Sequence, residues 1–224
     1  MMTLSNRSLR PTLAAVAIAA LGAAVPGQAH SFWPSYHSAK TALSLGEKGL
    51  EAAVVVEVPS FEMVSAFREY YSDIDLIAEI EAGRFEPLED EFRTDQLTRF
   101  AAGLELFIDG RPVSGSWQPV DSPANGLATE GFFVYMLEFV FDRPPELGER
   151  VEVRLEARLL QEKSLMMANV VQAKDGWEVV ESSIPPPEEY PELPEGAALG
   201  AELGLWSEDP VKRDLRVSFA RSSE

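Results

Sequence analysis

The sequence contains no cysteine and only two histidines among its 224 residues. Without cysteine the chain can form no disulfide bond, and metal sites built on thiolate ligands are excluded. Catalytic triads need a histidine, and the two available, His30 and His37, lie near the start of the chain, where we expect them to be exposed. The fold must therefore be held together by its hydrophobic core.

Long hydrophobic runs are also lacking, apart from one near the N-terminus. Residues 13–25 form an apolar run of 13 after two arginines, whereas a membrane-spanning helix needs about 20 residues. Small residues at 27 and 29 then resemble a cleavage site. The sequence predicts a cleaved signal peptide over residues 1–29, a mature chain that starts at His30 and spans no membrane, and a periplasmic or secreted location.

Positive charge is scarce. The chain has 19 lysines and arginines against 37 aspartates and glutamates, a formal net charge of −18, and loss of the two leader arginines lowers it to −20. Such a surface repels phosphate backbones. We therefore expect no nucleic-acid partner.

Short strand patterns dominate the chain after residue 50. Residues 50–58 have a β-branched centre that is typical of a buried strand. Residues 104–108 alternate towards Asp109-Gly110, a hairpin signal. The further predicted strands are 113–120 as the return strand, 132–141 as the most buried one, 151–159, a hairpin from 170 to 180 around Asp175-Gly176, and 215–219.

The pattern becomes helical between residues 60 and 103. Apolar residues recur there every three or four positions, which places them on one helical face; they are Met63, Phe67, Tyr70, Ile74, Ile77 and Ile80. The stretch 72–75 resembles the start of a calcium loop, but Ala78 stands where an EF-hand needs glycine, so we interpret it as structural. The fold class predicted is mainly β, an Ig-like antiparallel β-sandwich with a helical insertion at about residues 60–103.

Proline and glutamate are dense between residues 183 and 200. This composition predicts an extended, solvated loop. Only about twenty residues follow it, too few for a second domain. We therefore expect residues 30–224 to form one domain.

Motifs of known enzyme classes are missing. The sequence has no Gly-rich phosphate loop, no G-x-S-x-G elbow and no H-E-x-x-H pair. Carboxylates are so numerous that no particular pair points to a site. We therefore expect no enzymatic activity.

The two histidines are the candidate metal ligands. If the chain starts at His30, its α-amino group and ring can chelate one ion, and the ring of His37 completes a three-nitrogen set suited to Cu(II) or Ni(II). Residues seven apart point to opposite faces of a strand, so the set needs a chain reversal, which Pro34 in WPSY would favour. The alternative for the nearby Phe32, Trp33 and Tyr36 is an aromatic plug over one end of the sandwich.

Several short motifs resemble those of a known family. The order is a leader ending in Ala-His, a second histidine, a buried strand, EVPSFE at residues 57–62 and AGLELFIDGRP at 102–112. This order is similar to the extracytoplasmic N-terminal region of HupE/UreJ-like membrane proteins over about residues 30–160. The resemblance implies a role in nickel or other metal uptake, as accessory to hydrogenase or urease. That family continues into transmembrane helices, which this sequence lacks, so transport by this chain itself is not expected.

Three functional hypotheses follow. The first is a non-enzymatic accessory module that binds copper or nickel through His30 and His37 and serves a membrane metal permease or other envelope protein. The second is a metal-free interaction domain that docks to a membrane or envelope partner through the aromatic opening or the helical insertion. The third is an oxidative copper enzyme of the histidine-brace kind.

Overall fold

The structure, a computed structural model, describes residues 37–122, 124–129, 131–159, 165–183 and 214–222. His30, the predicted signal peptide, the aromatic residues 32–36 and residues 184–200 of the Pro/Glu-rich loop lie outside the described residues. The predictions made for them stay predictions.

The described residues form eleven strands and three helices. The strands are β1 (His37–Gly46), β2 (Gly49–Pro59), β3 (Leu104–Ile108), β4 (Arg111–Pro112), β5 (Gly115–Pro119), β6 (Leu127–Thr129), β7 (Phe132–Phe141), β8 (Arg150–Ala157), β9 (Leu165–Ala173), β10 (Trp177–Ser182) and β11 (Leu215–Arg221). The helices are α1 (Ser60–Tyr70), α2 (Leu76–Glu81) and α3 (Phe85–Ala102).

The strands pair into two sheets. One has the order β5-β7-β2-β1-β9, with β6 paired to β7 as well, and the other has the order β10-β11-β8-β3-β4. The predicted β-sandwich with a helical insertion at residues 60–103 is therefore confirmed. The pairing is antiparallel, as predicted, except between β1 and β9, which run parallel.

The core fills the space between the sheets. From Arg150 to Leu155 strand β8 alternates buried with more exposed residues, as its sequence predicts, whereas Glu156, predicted on the water face, is buried. The side chains that are at most 1% exposed come from both sheets; they include Leu43, Leu45, Val54, Val56, Tyr135, Leu137, Val151, Val153, Leu155, Leu215, Val217 and Phe219. The prediction that residues 132–141 form the most buried strand is wrong, because β2 occupies the centre of its sheet whereas β7 lies nearer the edge.

The first predicted hairpin forms but is shorter than expected, and the second does not form. The return strand pairs with β3 only at Arg111 and Pro112, and the chain then crosses to the other sheet, where β5 pairs with β7. Gly115 permits the crossing, since a Cβ there would lie 2.4 Å from the Val140 carbonyl oxygen. Likewise β9 and β10 belong to different sheets, although the turn at Asp175-Gly176 forms with the positive φ angles its sequence favours.

The helical insertion packs against the β7 side of the first sheet. Helix α1 starts directly after β2, where the Ser60 amide donates to the Gly131 carbonyl at 2.8 Å. Helix α3 is the longest, and its Phe100 ring lies 5.1 Å from the ring of Tyr135 in β7. None of the described helices is long and apolar enough to cross a membrane.

Candidate functional site

His37 is buried, with 2% of its surface exposed, so the expectation that it is exposed is wrong. It is the first residue of β1, and its Nε2 lies 3.0 Å from Oε2 of Glu62 in the first turn of α1. This contact joins the start of the sheet to the start of the helical insertion. His30, its predicted partner in a metal site, lies outside the described residues.

The carboxylate of Glu57 in β2 lies on the face of the sheet opposite to His37, because it pairs with Ser38 and successive strand side chains alternate. Glu57 in β2 accepts hydrogen bonds from the Ser38 hydroxyl and, at 2.7 Å, from Lys40 Nζ. Within the described ranges, no group of three or more histidine, aspartate or glutamate side chains is arranged to hold a metal ion.

The structure also contains a cavity of about 670 Å³ between the three helices and β7, which was not predicted from the sequence. Its volume lies in the range of about 300–1,000 Å³ that is usual for ligand pockets. Its wall is mainly aromatic and aliphatic; the residues are Met63, Phe67, Tyr71, Phe85, Phe92, Phe133 and Tyr135. The described part of the chain thus places an apolar cavity beside the sandwich.

The aromatic wall is centred on Phe67. Its ring centroid lies 5.0 Å from that of Tyr71, 5.1 Å from that of Phe92 and 5.5 Å from that of Phe85, in edge-to-face or tilted arrangements. Met63, Phe67 and Tyr71 are spaced by four, so they lie on one face of α1. Such edge-to-face and tilted contacts between rings are favourable beyond the area that they bury.

Helix α2 provides the rim. None of its residues is buried, and Ile77 and Ile80, which line the cavity mouth, are 70% and 56% exposed. The prediction of one continuous apolar helical face from Met63 to Ile80 is therefore wrong. The helix breaks after Tyr70, and Asp75 starts α2 by accepting hydrogen bonds from the amides of Ile77 and Ala78. Asp75 thus has a structural role as the N-cap of α2.

Two tyrosines bring hydroxyl groups to the wall. The Tyr71 hydroxyl donates to the Leu88 carbonyl at 3.0 Å, and burial, followed by the nearby Glu91, raises its pKa to about 12. Burial is also the main reason why the pKa of Tyr135 is raised, while Arg93 opposes the shift and Glu89 adds to it. Both phenols are neutral at physiological pH and can serve as hydrogen-bond donors rather than as bases.

The loop before β6 closes one side of the cavity. Gly126 has φ +79°, and a Cβ there would lie 2.2 Å from Cδ of Arg93. Because glycine leaves that space free, the Arg93 side chain packs on the loop while its guanidinium contacts Asp90 Oδ1 at 2.5 Å. The charged groups that line the cavity are Arg68, Asp75, Glu89 and Arg93.

Comparison with known proteins adds little. No protein-family model matches the chain, and no curated protein matches it. Among solved structures it is similar to acetylcholine-binding protein type 1 of Biomphalaria glabrata, with a TM-score of 0.31 and 10% identity, over 96% of this chain and 100% of that one. A TM-score this low supports no inference about function.

Proposed function

We propose that this protein is a non-enzymatic binding module, secreted or periplasmic, that takes up an apolar group of an envelope partner in the cavity of its helical insertion. The observation that carries the proposal is the cavity of about 670 Å³, whose mouth is lined by Ile77 and Ile80. Isolated apolar residues on a surface are ordinary, but a contiguous apolar mouth above an apolar cavity is typical of a binding surface.

The amount of apolar surface supports a binding role. Exposed large apolar residues are concentrated in the insertion, and those at 38% exposure or more include Phe61, Val64, Tyr70, Ile74, Ile77 and Ile80. Water contact with this surface is unfavourable by roughly 25 cal/mol per Å². An occupant that covers it gains that free energy.

We expect Ile77→Asp/Ile80→Asp to weaken binding of Nile red, a neutral apolar dye, by about tenfold or more. The substituted side chains are already exposed, so the fold tolerates them, while two carboxylates at the mouth keep the site hydrated. Dye fluorescence titrated with protein measures the effect. The matched control is Val140→Asp/Val180→Asp, which adds the same charge at strand positions that are 39% and 48% exposed.

Equal binding by the wild type and both double variants would place the dye elsewhere and contradict the proposed function. Circular dichroism on each variant verifies that the fold is retained. A loss confined to the Ile77/Ile80 variant supports the cavity as the site.

We propose as a second function that the start of the mature chain binds Cu(II) or Ni(II). The supporting observation is the pair of His37 and Glu62, whose Nε2 and Oε2 atoms are 3.0 Å apart. Two ligands at about 2 Å from one metal and at right angles are about 2.8 Å apart. The pair is therefore compatible with metal ligation as well as with a direct hydrogen bond.

His37→Ala should remove part of the nitrogen hyperfine structure from the Cu(II) EPR spectrum, and one extra residue before His30 should have a similar effect. Copper affinity should fall as the pH drops through about 6.5, since ligation needs neutral imidazole. Glu62→Gln tests whether the carboxylate is a ligand, because it removes the carboxylate and keeps the imidazole. Should all three variants keep the wild-type spectrum and affinity while His37→Ala lowers thermal stability, the histidine is a structural contact.

A further inference from the structure

The helical insertion carries an excess of negative charge. Residues 60–103 include eleven aspartates and glutamates but only four arginines. Three of these arginines form ion pairs within the insertion; the pairs are Arg84–Glu79 at 2.7 Å, Arg93–Asp90 at 2.5 Å and Arg99–Asp95 at 2.8 Å. The segment therefore neutralises most of its own positive charge and keeps an excess of acid.

Part of this excess lies beside the cavity. Glu89 lines it, Glu81 follows Ile77 by four residues on α2, and Asp73 lies in the turn between the lining residues Ser72 and Ile74. In the ranges that the structure covers, none of these three carboxylates forms an ion pair with lysine or arginine. Arg68 lies on the α1 side of the mouth, so the acidic margin, defined as Asp73, Glu81 and Glu89, belongs to the α2 and α3 side.

The shape of the apolar surface indicates the size of the occupant. A small molecule held inside the cavity would leave the rim in water, because Val64, Ile77 and Ile80 project at its mouth with 45% to 70% exposure. A polypeptide segment that lies across the mouth would cover the rim and insert side chains into the cavity. Amphipathic helices bind apolar grooves in this manner, with anchors three and four residues apart.

We propose that the cavity and its acidic margin bind a basic amphipathic helix of a partner protein. The apolar face of that helix fills the cavity, and its lysines or arginines face Asp73, Glu81 and Glu89. This inference rests on the proposed function of the cavity and adds the chemistry of the partner. Charge complementarity selects a cationic helix, since an acidic one would meet unpaired carboxylates.

Three designed peptides of about 18 residues, or five helical turns, test the proposal. All carry the same leucine face and a fluorescent label, and their polar faces consist of lysine, glutamine or glutamate. Fluorescence anisotropy with the purified full chain gives each Kd. At low salt we expect the lysine peptide to bind about tenfold more tightly than the glutamine peptide, and the difference to shrink at high salt through screening.

The overall charge of the protein requires a matched control. Asp73→Asn/Glu81→Gln/Glu89→Gln should abolish the preference for lysine, whereas Glu149→Gln/Glu152→Gln/Glu178→Gln, three exposed acids in or next to the second sheet, should retain it. An equal loss in both triple variants means general attraction to an acidic protein and overturns the inference.

Other outcomes separate this inference from the proposed function. Equal affinity for the three peptides overturns the basic partner but leaves an apolar binding site. Nile red binding without binding of any peptide points to a small apolar ligand and likewise overturns the helix. If peptides and dye bind only after residues 30–36 are removed, the chain's own aromatic segment is the occupant. Failure of both dye and peptides in every form contradicts the proposed function itself.

Discussion

Val54→Asp is expected to leave no folded protein at neutral pH. Val54 is fully buried in β2, the central strand of its sheet, where it faces Leu137 of β7. A carboxylate at this position would be charged in a core without a cation, and the cost of several kcal/mol is comparable to the whole stability of a domain, about 5–15 kcal/mol. Far-UV circular dichroism and the yield of soluble protein measure the result.

Val140→Asp is the matched control. It introduces the same side chain in the same sheet, but Val140 in β7 is 39% exposed. A carboxylate there remains hydrated, so the change in the free energy of unfolding should stay below about 1 kcal/mol. Cooperative unfolding of Val54→Asp at a temperature near that of the wild type would show that β2 does not lie in the core.

Asn125→Ala should lower the free energy of unfolding by about 3 kcal/mol. Asn125 is buried, and its side chain satisfies backbone groups of Val120, directly after β5, and of Met136, in the middle of β7. Its Oδ1 accepts from the Met136 amide at 2.8 Å, and its Nδ2 donates to the carbonyls of Met136 and Val120 at 2.8 and 3.0 Å. Alanine leaves the Met136 amide without this partner in a buried site. Urea denaturation measures the loss.

Asn125→Asp separates hydrogen bonding from packing. The carboxyl group keeps the shape and the acceptor, but its second oxygen faces two carbonyl oxygens, so its pKa in the folded state is raised. The folded state then holds a proton that the unfolded state releases above about pH 3.9, and stability falls as the pH rises from there. Unfolding curves at pH 4 and pH 7 that coincide would contradict this account.

Local sequence patterns predicted where strands and turns lie better than they predicted which strands pair with each other. The alternation of β8 up to Leu155 and the turn residues at 109–110 and 175–176 depend on neighbours in the sequence, and the structure has them as predicted. A turn signal does not specify which sheet the next strand joins, so the crossings after Pro112 and Gly176 could not be predicted. Strand β1 was missed because HSAKTALSLG is poor in β-branched residues. Its conformation follows from pairing with β2 and β9.

The candidate sites depended still more on tertiary structure. The periodicity of Ile74, Ile77 and Ile80 indicates an apolar face but not whether anything covers it. The contact of His37 with Glu62 joins β1 to α1, and sequence spacing cannot reveal such a contact between separate elements. The excess of acidic residues in residues 60–103 can be counted in the sequence. Only the structure shows that part of this excess lies beside an apolar cavity, which is why we connect it with binding.

The parallel pair of β1 and β9 has a consequence for the order of folding. Thr41 in β1 hydrogen-bonds to Asn169 in β9, 128 positions later, whereas the other edge of β1 pairs with β2 through a two-residue turn. The hairpin can form early, but contacts of such long range form slowly because a large loop must close. Until β9 pairs with β1, this edge of β1 exposes unpaired backbone groups that can hydrogen-bond to a strand of another chain. The first of the described strands to be synthesised is therefore among the last to be completed, and its unpaired edge exposes the folding chain to aggregation.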